Sequence, residues 1–228
     1  MKKTLRILCA ILVLVCICPV LSSCVNAERK AEIKEIITAA EAASVTDVEK
    51  YVNALKVSDF QKSKEVTNYV MFEINGYGNI VVALRPDTAP LSAENFKKLV
   101  SDKFYDGLIF HRVIEGFMIQ GGGYTSGYKI KNSASIKGEF ESNGVENNLL
   151  HYRGVLSMAR TSVKDSASSQ FFIMHKTSPH LDGEYAAFGY VIAGMSTVDK
   201  IATVTTNSND APMSAVVIKS AYFVSPIV

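Results

Sequence analysis

The sequence predicts a mainly β protein, a closed antiparallel barrel preceded by a helical extension. Three observations point there. From about Tyr69 onward, short runs rich in β-branched and aromatic residues alternate with turn signals. Within that stretch only two segments carry helical periodicity, too few for a sheet built from βαβ units. Before it, from Ala27 to about Thr67, the chain is charged and Ala-rich and contains neither Gly nor Pro.

The elements follow in order. The first residues, MKKTLRILCAILVLVCICPVLSSC, have a cationic start, an apolar run from Ile7 to about Leu21 and a small-residue ending. That is the layout of a secretory signal, with an apolar stretch short for a membrane span. Residues 1–23 are therefore set apart from the fold. Leu21-Ser22-Ser23-Cys24 resembles the bacterial lipobox, in which cleavage exposes a Cys that carries diacylglycerol. The alternative is an ordinary signal peptide ending on a chance Cys. All four cysteines (Cys9, Cys16, Cys18, Cys24) lie in the signal or at its end, so the mature chain would hold one thiol and no disulfide. An exported domain with one exposed thiol at its start makes sense if that thiol is acylated, and two acyl chains anchor firmly.

In residues 24–67, Ile33, Ile36, Ile37 and Ala40 repeat at helical spacing. Val48, Tyr51, Val52 and Leu55 do so again after the capping-box pattern Thr46-x-x-Glu49. Two short helices are expected, packed on each other or on the main domain. A lipidated N-terminus followed by a helical spacer is the favoured role; a functional module is the other.

The main domain, 68–228, opens on a hairpin: Tyr69–Ile74 and Asn79–Leu84 flank Asn75-Gly76-Tyr77-Gly78. Pro90 starts a helix whose face is Ala93, Phe96, Leu99 and Val100. Further strands are expected at 108–114, 117–121, 154–159, 170–174, 186–192 and 214–223, with a second helix over about Ser196–Ala202. No repeat or low-complexity tract interrupts them.

Composition excludes several classes of function. There are 24 Lys+Arg and 22 Asp+Glu; without Lys2, Lys3 and Arg6 of the signal the balance is 21 against 22, or −1. Such a chain has no electrostatic footprint for nucleic acid. Gly121-Gly122-Gly123 lacks the Lys-Ser/Thr of a phosphate loop and opens no helix. The four histidines (111, 151, 175, 180) show no metal-ligand spacing, so neither metal nor cofactor is expected. No Ser sits in a nucleophile-elbow pattern.

Four blocks remain: FHRVIEGFMIQGG at 110–122, GVLSMAR at 154–160, SQFFI at 169–173 and HLDGEYAAFG at 180–189. In order and spacing they resemble the core blocks of the cyclophilin-type peptidyl-prolyl isomerases, and the likeness runs from about Tyr69 to Val224. The resemblance implies an eight-stranded antiparallel barrel capped by two helices, with a groove for a substrate proline on its outer face. By the same resemblance Arg112 contacts the substrate at the isomerising bond, and Gln120 orients Arg112 and binds substrate backbone. Phe117, Met118, Phe172 and Leu181 form the proline pocket. Ala159 and Arg160 hold the substrate main chain, although the familiar eukaryotic form has Asn where this chain has Arg160. His180 stands where drug-sensitive members carry Trp, and Tyr185 where they carry a pocket His; both belong on the groove rim. Weak cyclosporin binding is implied. His111 is read as a structural histidine, a proton carrier being the alternative.

The chemistry suits these residue types. Twisting a peptide bond costs about 18–20 kcal/mol of resonance and breaks no bond, so no nucleophile or metal is required. In the twisted state the proline nitrogen becomes pyramidal and regains a lone pair that a guanidinium can hydrogen-bond. Arg stays protonated and offers a rigid fork of donors. The expected function is isomerisation of X-Pro bonds in exported or surface polypeptides by a domain outside the cytoplasm, lipid-anchored through Cys24. The rivals are a holdase chaperone that grips proline segments without turnover, and a solute-binding lipoprotein, for which the chain lacks two-domain length.

Overall fold

Closure of a sheet on itself explains why nearly every strand here is buried on both faces: one side fills the barrel, the other is covered by helices and loops. The computed structural model describes residues 26–228. The signal and Cys24 lie outside the described residues. The strands are β1 (Phe60–Lys62), β2 (Tyr69–Ile74), β3 (Gly78–Leu84), β4 (Leu108–Ile114), β5 (Met118–Thr125), β6 (Val155–Met158), β7 (Phe171–Met174), β8 (Ala187–Ala193) and β9 (Val216–Pro226). They run antiparallel in the order β1-β9-β2-β3-β8-β6-β7-β5-β4, and pairing of β4 with β9 closes the last eight into a barrel. β1 hangs outside as a ninth strand, which the sequence did not announce.

β9 can serve three partners because it is 11 residues long. Val216 and Val217 pair with Phe110 and Ile109 of β4, Ile218 and residues 220–223 pair with β2, and Val224–Pro226 pair with β1. Inside, Phe72, Phe96, Tyr105, Phe110, Phe171 and Phe188 form one aromatic core, with Phe96 5.2 Å from Phe188 and 5.7 Å from Phe171. The first pair is tilted and the second edge-to-face, and edge-to-face contacts contribute about 0.5–1.5 kcal/mol each beyond the area they bury.

Helices α2 (Pro90–Ser101) and α3 (Met195–Ala202) pack on this core through Ala93, Phe96, Leu99 and Val100, and through Met195, Val198, Ile201 and Ala202. Ala89 has no polar side chain to cap α2. The buried carboxylate of Glu139 does so instead, accepting from Leu91 N at 2.9 Å, Ser92 N at 2.8 Å and Ser92 Oγ at 2.7 Å.

The extension lies against the barrel's outer face. Helix α1 covers residues 26–42 and buries Ile33, Ile37 and Ala40. With Val48, Leu55 and Phe60, the two Ile join the cluster formed by Tyr69, Met71, Val81, Tyr190 and Val224. Polar contacts tie the same surfaces together: Tyr69 Oη donates to Glu41 at 2.7 Å, Arg85 Nη2 to the Ala43 carbonyl at 3.0 Å, and Arg29 pairs with Asp59.

The second expected helix is instead a 3-10 turn over Val45–Tyr51, started at Ser44 without a side-chain cap. Tertiary hydrogen bonds win over helix continuation. Asn53 N and Leu55 N donate to the carbonyls of Val191 and Ile192 in β8, and Asn53 adopts φ +56°. In that conformation its Oδ1 accepts from Gly194 N and Met195 N, each at 3.1 Å, so a residue of the extension caps α3.

Candidate active site

A break in strand alternation turns one charged side chain out of the core. Strict alternation along β4 would put Arg112 on the same face as Phe110 and Val113 on the other. Phe110 and Val113 instead both belong to the inner core. The register shows the reason: Phe110 is opposite Gly121 and Arg112 opposite Gln120, so β4 carries one extra residue, His111, at a bulge. Arg112 therefore emerges on the outer face.

Gln120 is flanked by Arg112 on β4 and Phe172 on β7, so the three lie in one row across neighbouring strands. Ser157 of β6 continues it. Arg112, Phe117, Met118, Gln120, Ala159, Arg160, Phe172, Leu181 and Tyr185 line a single pocket of about 130 Å³. A cavity of about 150 Å³ holds a benzene ring, so a pyrrolidine ring fits. Met118, Phe172 and Leu181 are buried and form the floor, and Tyr185 stands edge-on to Phe172 at 5.8 Å. Of the residues predicted for the groove, His180 alone does not line the pocket. It is exposed on the rim and stacks on Phe117 at 5.6 Å.

Three polar arrangements were not legible beforehand. Gln120 does not bond Arg112; its Nε2 donates to Gln170 Oε1 at 3.0 Å. Gln170 passes where Gly123 has no side chain, since a Cβ there would lie 2.5 Å from it, and this is the use of the glycine run. Arg112 is held instead by Asp210, whose Oδ2 accepts from Nε at 3.3 Å. Arg160 has its guanidinium between the rings of Phe140 and Tyr185, at 4.9 and 4.7 Å, and donates to the carbonyls of Glu184 and Thr161. That sandwich makes a cation part of the pocket wall. Gln170 is the second residue of the SQFFI block and could have been proposed from it; nothing local marks Asp210.

Behind the floor a buried network fixes the wall. His151 stacks on Phe172 at 6.0 Å, its Nδ1 lies 3.0 Å from Asp182 Oδ1 and its Nε2 lies 3.1 Å from Ser157 Oγ. Asp182 can only accept, so Nδ1 carries the proton and Nε2 accepts from Ser157. Ser157 is fully buried, so this Ser–His–Asp arrangement has no access to a substrate. His111 sits under Tyr124 at 4.5 Å with its Nδ1 buried and unpartnered. Burial, and then the charge of Arg112, push its pKa down to about 4. Among the described residues no cluster of three or more His, Cys, Asp or Glu could hold a metal.

Residues 69–223 match the family model described as cyclophilin type peptidyl-prolyl cis-trans isomerase/CLD. The chain is 46% identical over 154 residues to peptidyl-prolyl cis-trans isomerase A of Dickeya dadantii, covering 63% of this chain and 78% of that protein. It is 42% identical over 164 residues to peptidyl-prolyl cis-trans isomerase B of Escherichia coli, covering 66% and 96%. A solved structure of a Cryptosporidium parvum cyclophilin type isomerase, determined in the presence of the dipeptide Ala-Pro, superposes with a TM-score of 0.59 at 29% identity, over 69% of this chain and 99% of that one. The eight-stranded barrel with an outward, apolar-floored pocket is thus a cyclophilin barrel. The chain belongs to the cyclophilin-type peptidyl-prolyl cis-trans isomerase family, and its activity is that of a peptidyl-prolyl isomerase.

The half-buried His111 and the buried His151 generate a prediction. His111 titrates near pH 4 when folded and near its unperturbed value of about 6.5 when unfolded. Burial lowers the pKa of His151 as well. The unfolded state therefore binds protons first, so stability should be constant above about pH 7 and fall as pH drops from about 6.5 toward 4. Thermal unfolding between pH 7.5 and 4.5 checks this: the melting temperature should decline in the parent and less steeply in His111→Phe, and an equal slope in both would contradict the assignment.

Proposed function

We propose that the pocket is where this isomerase acts on X-Pro bonds of exported or surface polypeptides, and that Cys24 anchors it by lipid to the bacterial membrane with the domain outside the cytoplasm. The row Arg112–Gln120–Phe172 across three paired strands, at the mouth of an apolar pocket, carries the proposal. Phe117, Met118, Phe172 and Leu181 take the proline ring. The Cryptosporidium relative solved with Ala-Pro supports proline-containing chains as ligands.

Arg112 then faces the amide of the bound proline with its terminal nitrogens, since Nε is engaged by Asp210. In the planar ground state the imide lone pair is delocalised and attracts no donor. As the bond twists the pair localises on nitrogen and the guanidinium hydrogen-bonds it, which is stabilisation confined to the transition state. The apolar floor strips water that favours the more polar planar form. Gln120 and the Ala159–Arg160 edge hold the substrate backbone. His111 stays neutral across the physiological range and lies outside the pocket lining, so no proton transfer through it is needed. A chaperone that only gripped proline segments would have no use for a donor aimed at the twisting nitrogen.

Replacing Arg112 by Ala should lower kcat/KM for an X-Pro peptide by about 10²–10³, the usual loss for one transition-state donor, with the barrel still folded. Cis/trans exchange measured by NMR at the parental rate would overturn the assignment. Cyclosporin should bind weakly because an imidazole stacked on Phe117 offers less apolar area at the rim than an indole; calorimetric titration showing tight binding would contradict the placement of His180. For the anchor, cells expressing Cys24→Ala should show the protein uncleaved or released, and a cleaved variant that still partitions with membranes would refute lipidation at Cys24.

A further inference from the structure

We propose that Asp210 is a positioning residue for Arg112, and that the loop 203–215 is built to deliver it. This rests on the assignment of Arg112 as the transition-state donor. Asp210 grips β4 twice. Its backbone carbonyl accepts from Val113 N at 2.8 Å, and its carboxylate accepts from Nε of Arg112, the preceding residue, at 3.3 Å.

The loop that presents it is closed by its own hydrogen bonds. Asn207 N donates to Ala211 O at 2.9 Å and Met213 N to Thr205 O at 2.9 Å. Asn207 Oδ1 accepts from Asn209 N at 2.9 Å and Ala211 N at 3.1 Å. Asp210 N donates to Asn207 O at 3.0 Å. Within this ring Asp210 adopts φ +61°, a left-handed conformation that Asp tolerates better than most residues.

Arg112 needs such a partner. Its side chain is 43% exposed and that of Asp210 41%, so packing alone does not choose its rotamer. A long flexible side chain must surrender that freedom before its donors meet the transition state. A carboxylate on Nε fixes the plane of the guanidinium by its inner edge and leaves both terminal nitrogens for the pocket that Arg112 lines. An ion pair this exposed adds little to fold stability, so its loss should appear in turnover rather than in melting.

Asp210→Gly removes the carboxylate while keeping a residue at ease with φ above zero; Asp210→Asn keeps an oxygen acceptor without the charge. Both should melt like the parent. In an NMR exchange assay on one X-Pro peptide, kcat should fall about ten-fold in Asp210→Gly and less in Asp210→Asn, with KM little changed, a loss smaller than that of Arg112 itself. Combined with Arg112→Ala, Asp210→Gly should cause no further loss, because it acts only through that guanidinium. The proposal is overturned if both variants turn over like the parent, if the loss falls in KM, or if it persists in the Arg112→Ala background. A parent that fails to isomerise the peptide refutes the functional assignment itself, whereas an active parent with unimpaired Asp210 variants refutes only the positioning role.

Discussion

The seam where β9 pairs with β4 is the constraint on which the rest of the molecule depends. Without it the sheet is open, Phe110 and Ile109 lose their β9 partners, and the aromatic core loses a wall. The seam also sets the position of Arg112. Arg112 lies two residues past the last β4–β9 pair and leaves the core because a bulge follows immediately. The loop that holds its guanidinium is the one that runs into the first residue of β9. Closing the barrel and bringing Arg112 to the pocket are therefore one structural event.

From that seam the outer face divides into two territories. Toward β5, β7 and β6 the sheet carries the row that ends in the outer pocket, backed by the His151 network. Toward β2, β3 and β8 it carries the extension, whose Ile33, Ile37, Val48 and Leu55 cover strands that would otherwise expose Met71, Val81 and Tyr190. The extension is bonded into the domain as well as packed on it: Asn53 caps α3 and β1 lengthens the sheet along β9. Gly154 leaves room for this, since a Cβ there would meet Val52 at 2.6 Å. The fold thus places the pocket and the seat of the chain's own N-terminal segment on different strands.

Much of the fold was legible because its signals are local. The Asn-Gly-Tyr-Gly turn between two β-branched runs gives β2 and β3, and Pro90 ahead of an apolar stripe gives α2. Most of the pocket was legible through four contiguous blocks that share one row of strands. What escaped is long-range. Thr46-x-x-Glu49 signals a helix, yet hydrogen bonds to β8 divert the chain after Tyr51. Asp210 is separated from Arg112 by 98 positions and sits in a loop of unremarkable composition, so only barrel closure brings them together. Likewise Arg160 reads as a departure from the eukaryotic pattern, and its place between Phe140 and Tyr185 depends on three separate segments meeting.

The central claim is that one outward pocket both binds the X-Pro segment and twists it. NMR on isotopically labelled protein turning over an unlabelled X-Pro peptide tests this directly, because bound-state exchange broadens signals where the isomerising bond lies. The account predicts broadening at the cis/trans exchange rate for Arg112 Nε–H, Gln120, Ala159 and Phe172, with α1 and β1 unaffected. Shifts at the pocket without accelerated exchange, or acceleration with the broadened signals elsewhere on the barrel, would contradict it.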